Sequence, residues 1–336
     1  MKSPFTGTEA IIQKEWVTMT FRKEPFQVLF HTYKCPDTGN TFEDENLSKL
    51  NYNQIVNQYR SKYALPFPEK IESIRKKYAL SASKMSEILG FGTNSYRLYE
   101  DGEVPNLSNG KLIQLAENPE EFRKLIDLSN TLDEKQKTRL YKRIEELLES
   151  ERIEKTRKEI EAYLIGTKGP SSLTGYTSPN LEKLTAMVVF FATQMKPWKT
   201  KLNKLLFYSD FTMYKQTGYS ISGVTYQAIP LGPVPNNFNS LFEYMANNDK
   251  VSINCTTYPD GGIGEQFIPI PDKQFYNELL SPKELDTLNR ITTRFKETTT
   301  QEIIDLSHHE KAWIDNEKEK KLIDYRYGFE LDEVIV

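Results

Sequence analysis

His308, His309 and Glu310 form the densest run of side chains able to bind a metal or move a proton. Successive helical positions lie about 100° apart, so two adjacent imidazoles do not converge on one ion. The third histidine, His31, lies in the N-terminal region. No Ser or Cys sits in a nucleophile motif, and there is no glycine-rich phosphate loop. These residues read as non-enzymatic. His308 is expected to be a structural histidine bonded to a neighbouring loop, and neither a metal nor a cofactor is expected. A second group, Thr93, Asn94, Ser95 and Arg97, has different chemistry. An Asn can pair bidentately with adenine, and an Arg can reach guanine or a phosphate.

The elements around that second group are helical. Ser81 to Leu89 and Thr93 to Glu100 read as two short helices separated by Gly90-Phe91-Gly92, with Ser81 or Ser83 as N-cap. That is the spacing of a helix-turn-helix, whose second helix lies in the major groove. Thr93, Asn94 and Ser95 then stand at the exposed N-terminal end of the second helix, and Leu98 and Tyr99 face the core. A helical hairpin in which Asn94 is only a cap fits the same periodicity. Further helices are expected at Asn51 to Tyr63, Glu69 to Tyr78 and Asn109 to Glu117.

Residues 1–50 read as short strands, with Phe26, Val28 and Phe30 alternating. Ser3-Pro4-Phe5-Thr6-Gly7 and Cys35-Pro36-Asp37-Thr38-Gly39 share the form x-P-x-x-G, a tight turn. Two such turns, about thirty residues apart, are the layout of a zinc ribbon, in which each carries a C-x-x-C pair. Here the ligand positions are Ser3, Thr6, Cys35 and Thr38, and a lone thiolate cannot hold tetrahedral zinc. The shape is expected without the metal.

Residues 131–165 read as a charged helical connector with a seam of Leu140, Ile144, Leu147 and Leu148. A solvated connecting helix and a dimerising coiled coil, which would make a homodimer, both fit it. Residues 166–180, rich in Gly, Ser, Thr and Pro, read as a linker. Beyond it, helices are expected at Leu181 to Gln194, Thr200 to Gln216, Glu284 to Phe295, Thr300 to Ser307 and Lys311 to Lys320. Strand candidates are Ile221 to Ile229 and Val251 to Ile270, with a turn at 259–262. The expected fold class is α+β and mostly helical. Its parts are a small β-ribbon (1–50), a helix-turn-helix domain (51–128), a connector helix (129–165), a linker (166–180) and a mainly α domain with a strand insert (181–336).

Composition bounds the partners. The 336 residues carry 44 Lys and Arg against 47 Asp and Glu, a net charge of −3, which excludes a protein that coats nucleic acid without sequence preference. From Pro66 to Lys124 there are nine basic and nine acidic residues, so operator binding would depend on a local patch and on two half-sites. The longest apolar run, Ala186 to Ala192, is too short to span a bilayer, and the start has no secretory h-region. Two distant cysteines exclude a disulfide framework. A cytoplasmic protein is expected, with no membrane partner.

Three resemblances sharpen this reading. Arg97-Leu98-Tyr99-Glu100-Asp101-Gly102-Glu103-Val104-Pro105-Asn106 resembles the RYE-x-G-x-x-P-S ending of Xre-family helix-turn-helix repressors, although Leu98 stands where that family often has Arg. With the ribbon turns, residues 1–125 look like the MqsA type of antitoxin. Lys201-Leu202-Asn203-Lys204-Leu205-Leu206-Phe207-Tyr208 resembles the KL-x-KL-L-Y-Y helix of the SocA-like, or Panacea, domain. The segment 221–235, with Tyr226, Gly232 and Pro233, resembles its A-x-x-x-GPV stretch; 305–313, with His308 and Trp313, resembles its L-S-H-x-E-x-x-W signature. Those residues are candidates for partner binding or for the domain's own architecture. Tyr208, Tyr226 and Trp313 read as core, Gly232-Pro233 as a fixed turn, and Lys201 and Lys204 as solvated, free to meet an acidic partner. The resemblance implies the antitoxin of a bacterial toxin–antitoxin pair that binds its toxin through the C-terminal domain and represses its operon through the helix-turn-helix. A transcriptional regulator or protease adaptor with a non-toxin partner is the alternative.

Overall fold

The computed structural model describes residues 1–259, 261–271 and 276–334. The chain packs into two compact units, residues 1–55 with 161–336, and residues 56–160. It is α+β, rich in helix, with small antiparallel sheets.

The first unit opens with a long hairpin, β1 (Ile11–Phe21) and β2 (Glu24–Lys34), followed by β3 (Thr41–Phe42) and residues 45–55 of α1 (Glu45–Lys62). Arg22 and Lys23 both take positive φ, which gives the two-residue turn the twist that a tight hairpin needs. On the other side of β2, its pairing with β3 is confined to Tyr33 and Lys34. Side-chain amides of α1 take over there. Gln54 accepts from Leu29 N and donates to Leu29 O, and Asn51 does the same at His31, at 2.8–2.9 Å. Buried strand backbone is thereby satisfied without another strand.

The second unit is a helical bundle of α2 (Pro68–Lys77), α3 (Ala82–Ile88), α4 (Ser95–Glu100), α5 (Leu107–Leu115), α6 (Pro119–Leu128) and α7 (Glu134–Ile153). Ser81, Asn106, Asn118 and Asp133 cap four of these helices through side-chain oxygens, as short helices with free N-terminal amides require. Tyr78 stacks on Phe122 at the centre of the core. The expected connector does not form one solvated rod. It breaks at Glu154 into α7 and α8 (Lys155–Ile165), and the seam residues Leu140 and Ile144 are buried in this unit's own core.

The first unit resumes with α9 (Leu181–Met195) and α10 (Lys199–Thr217). Every residue of α10 from Lys201 to Tyr214 is buried, so the helix is a central axis rather than an amphipathic surface element. Around it follow β4 (Tyr226–Ile229), β5 (Gly232–Pro235), α11 (Phe238–Asn247), β6 (Ser252–Thr257), β7 (Ile263–Ile268) and α12 (Tyr276–Leu279). The chain continues with α13 (Pro282–Phe295), α14 (Thr300–His309), α15 (Lys311–Ile314), β8 (Leu322–Ile323) and a 3-10 helix, Tyr325–Glu330. β4 is the centre of a three-stranded antiparallel sheet between β5 and β8. β6 and β7 form a separate hairpin; Asp260, in the expected turn at 259–262, lies outside the described residues. No helix of the described residues is long and apolar enough to cross a membrane.

Two expectations need correction here. The helix expected over Lys311 to Lys320 stops at Ile314 and continues as turns. The segment 166–180 is no free linker, because Thr174, Tyr176 and Thr177 are buried. Ser220 N donates to Gly175 O, Ser220 Oγ to Thr174 O, and Thr177 Oγ1 to Ser220 O. Tyr325 N donates to Ser172 O. Gly, Ser, Thr and Pro suit a packed turn as well as a flexible chain, and composition does not distinguish the two.

Candidate functional site

In the second unit, α3 and α4 are joined by a turn tied at both ends. Phe91 N donates to Ser86 O, and Tyr96 N donates to Ser86 Oγ. Tyr96 and Tyr99 are three apart on a six-residue helix, so they share its buried face. Tyr96 OH donates to Ile71 O, and Asn109 Nδ2 donates to Tyr99 OH. Arg75 and Glu100 clamp the end of α4 at 2.6 Å. Anchoring the tyrosines inward turns Thr93, Asn94 and Arg97 to solvent, with Ser95 half-buried. Asn94 occupies the N-cap position, but its side chain makes no capping hydrogen bond. Among the described residues Arg97 pairs only with Asp101, at 3.9 Å. Leu98, expected inside, is exposed; one position from Tyr99 it points off the buried face, and Tyr96 takes the inward place.

At the N-terminus the structure brings Ser3, Thr6, Cys35 and Thr38 together. Both x-P-x-x-G turns close with a bond from the Gly amide to the first residue's carbonyl, Gly7 N to Ser3 O and Gly39 N to Cys35 O, each 2.9 Å. Thr6 Oγ1 lies 3.4 Å from the buried Cys35 Sγ, and Thr8 Oγ1 donates to Asp37 Oδ2 across the two turns. Hydrogen bonds from Ser3, Thr38 and Thr6 lower the Cys35 thiol to about 6. Hydroxyls stabilise a thiolate by donation, and they are poor ligands for zinc.

The C-terminal candidates meet around α10. Asp210 is fully buried and accepts from Ile221 N, Ser222 N, Ser222 Oγ and Tyr226 OH at 2.5–2.8 Å. Burial raises its pKa, and the four donors oppose that rise. Asp210 thereby fixes the loop that leads into β4. Its signal in the sequence is a lone carboxylate among Leu205, Leu206, Phe207, Tyr208 and Phe211, the mark of a buried polar anchor.

Lys204 is also fully buried, against the expectation that it is solvated. Its Nζ donates to Pro233 O at 3.0 Å, and burial lowers its pKa to about 7. Gly232, at φ +97°, leaves the space it occupies. Lys201 is buried as well, and donates to the carbonyls of Lys296 and Thr298 beyond α13. Burial lowers its pKa too. The long aliphatic stems of both lysines pack in the core while their ammonium groups tie down loop carbonyls. Tyr208 stacks on Phe295, Tyr226 is bonded to Asp210, and both are buried.

His308 and Trp313 stack at 3.9 Å with an interplanar angle of 14°. Trp313 Nε1 donates to Ile229 O at the end of β4, so the pair props the β4–β5 turn. Burial and the Lys204 charge lower the pKa of His308. His309 is exposed and points elsewhere, with Nδ1 at 2.7 Å from Asp305 O. Glu310 is buried and accepts from the amides of Asp332 and Glu333. The histidines and Glu310 therefore serve three separate places.

Residues 202–314 match the family model of the antitoxin SocA-like, Panacea domain. No curated protein and no solved structure matches the chain. The Panacea-like segment contains Lys204, Tyr208, Tyr226, Gly232, Pro233, His308 and Trp313, and Lys201 precedes it by one residue. Within the segment these residues hold one another: α10 carries Lys204 to the β5 carbonyl, and α14 carries Ser307 and His308 to the same turn. The match covers an antitoxin-type domain, and its signature side chains are mainly framework that shapes loops rather than a surface.

Proposed function

We propose that this chain is the antitoxin of a bacterial type II toxin–antitoxin pair and acts without catalysis. The Panacea-like unit binds and masks a cognate toxin, and the second unit, as an Xre-like helix-turn-helix, represses the operon. The observation that carries the first half is the match over residues 202–314, together with the interlocked Lys204, Gly232 and Trp313 that shape its loops. The operator half is supported by the orientation of α4, whose tyrosines are buried while Thr93, Asn94 and Arg97 stand in solvent with the Asn94 amide uncommitted. Ser3, Thr6, Cys35 and Thr38 support the reading of residues 1–50 as a zinc-ribbon shape that has lost its metal. The balanced charge of residues 66–124 makes a homodimer on two half-sites the arrangement with useful affinity.

Co-expression with the adjoining reading frame, scored for growth, tests the proposal. Rescue by the full chain is expected. Rescue that persists with Asn94→Ala and Arg97→Ala but fails when the Panacea-like unit is disrupted assigns the two roles. A neighbour that is harmless when expressed alone would turn the reading toward a regulator or adaptor with a non-toxin partner.

A further inference from the structure

Within the first unit, a cavity of about 640 Å³ opens between the N-terminal hairpin, the start of α1, the end of α10, α13 and the C-terminal segment. Its volume is that of a small-molecule site. His31 is buried there, 4 % exposed, and its Nδ1 has no hydrogen-bond partner. Unpaired buried polar nitrogens are rare and costly, so this one marks a place where a ligand atom is wanted.

Three lysines line the same cavity, and among the described residues none of them forms an ion pair. Lys14 Nζ donates to Phe329 O, Lys215 Nζ to the carbonyls of Leu331 and Val334, and Lys283 at the start of α13 has no carboxylate in ion-pair contact among the described residues. Two of the three acidic residues on the wall are otherwise engaged. Asp286 pairs with Arg290 and Asp44 accepts from Leu47 N as a helix cap, while Asp332 stays on the wall and, with Glu330 and Glu310, partly offsets the charges of Lys14 and Lys215. The lysines repel one another. Burial and Lys14 push Lys215 down to about 8, and burial, Lys49 and Arg290 lower Lys283.

We propose that this cavity binds a small phosphate-bearing molecule, its oxyanion held by Lys215 and Lys283 with His31 donating from the floor. Ammonium groups without a carboxylate in contact, around a neutral imidazole, suit a compact anion with several acceptor oxygens. Lysine binds phosphate as a point charge, which fits side chains still tethered to carbonyls. The site is separate from the Lys204 cluster and independent of the toxin reading.

Titration calorimetry of the full chain with sodium pyrophosphate at pH 7.5 tests this. Saturable binding to one site is expected, and the His31 ring signals in protein labelled with ¹⁵N-histidine should shift while those of His309 stay. Lys215→Gln and Lys283→Gln should each weaken binding about tenfold, the order expected for one charge-assisted hydrogen bond. Lys318→Gln, exposed and outside the cavity, should change nothing. Should Lys215→Gln fail to fold, Lys283→Gln decides, since Lys283 is exposed at the rim. No saturable binding, or equal affinity in Lys283→Gln and Lys318→Gln, would overturn the site. Citrate binding as tightly as pyrophosphate would overturn the phosphate assignment.

Discussion

A Cβ placed on Gly232 would lie 2.5 Å from Cε of Lys204 and 2.5 Å from Oγ of Ser307. Three sequence motifs therefore depend on one another at a single point: the α10 helix supplies the lysine, the β5 strand the glycine, and α14 the serine. Because φ is also +97°, Gly232→Ala meets both backbone strain and a collision within a packed core. A loss of roughly 2–4 kcal/mol is expected in urea unfolding of the full chain. A variant as stable as the wild type would show that Lys204 can leave its place at little cost.

Lys204 should make stability depend on pH. Its folded pKa of about 7 lies below the unfolded lysine value of about 10.4, so between these values the unfolded chain binds more protons. Stability should rise as pH increases from 7 to 9.5. Lys204→Met should flatten that rise, read as the difference in urea midpoint between the two pH values. Lys215 contributes in the same direction, so a residual slope remains. An unchanged slope in the variant would mean that Lys204 is not the source.

His31 acts at the acid end. Burial first, then Lys14, depress its pKa to about 4, below the ordinary 6.5. The unfolded state therefore binds the extra proton between these values, and stability is lost as pH falls from 6.5 to 4. The full linkage is about 3 kcal/mol at most. His31→Phe should remove most of it, measured by thermal unfolding at pH 7 and pH 4.5; a variant that melts in parallel with the wild type would refute it.

Asn94 and Arg97 should govern DNA binding without governing fold. Each to Ala is expected to cost about 1–3 kcal/mol at the operator. Their thermal midpoints should match the wild type, whereas Tyr96→Ala should lower the midpoint, because that ring is buried and its hydroxyl is bonded to Ile71 O. Gel shifts on the promoter region read the first effect. Wild-type binding by both surface variants would remove the repressor role.

The ribbon turns offer a gain-of-function test. The wild type should purify without stoichiometric zinc and keep its fold in chelator. Ser3→Cys, Thr6→Cys and Thr38→Cys together with the native Cys35 should yield one zinc per chain by elemental analysis. Failure of the triple variant to take zinc would show that the two turns do not face each other in ribbon geometry.

Sequence alone determined much of the local structure. The caps at Ser81 and the Gly90 stop placed α3, the alternation Phe26, Val28, Phe30 placed β2, and the repeated x-P-x-x-G turns located Cys35. These features are written within a few residues, where period, cap and turn chemistry act. The burial of Lys201 and Lys204 was not legible, because lysine is ordinarily solvated and only the enclosing β5, α13 and α14 make an interior helix of α10. Tertiary structure likewise decided that 166–180 packs on Ser220 and Tyr325, and that Leu140 and Ile144 serve their own core rather than a partner. It also gathered residues 1–55 with 161–336, bringing His31, Lys14 and Lys215 around one cavity. An apolar or polar pattern says that a face is to be covered or solvated; which distant segment covers it is settled only when the chain closes on itself.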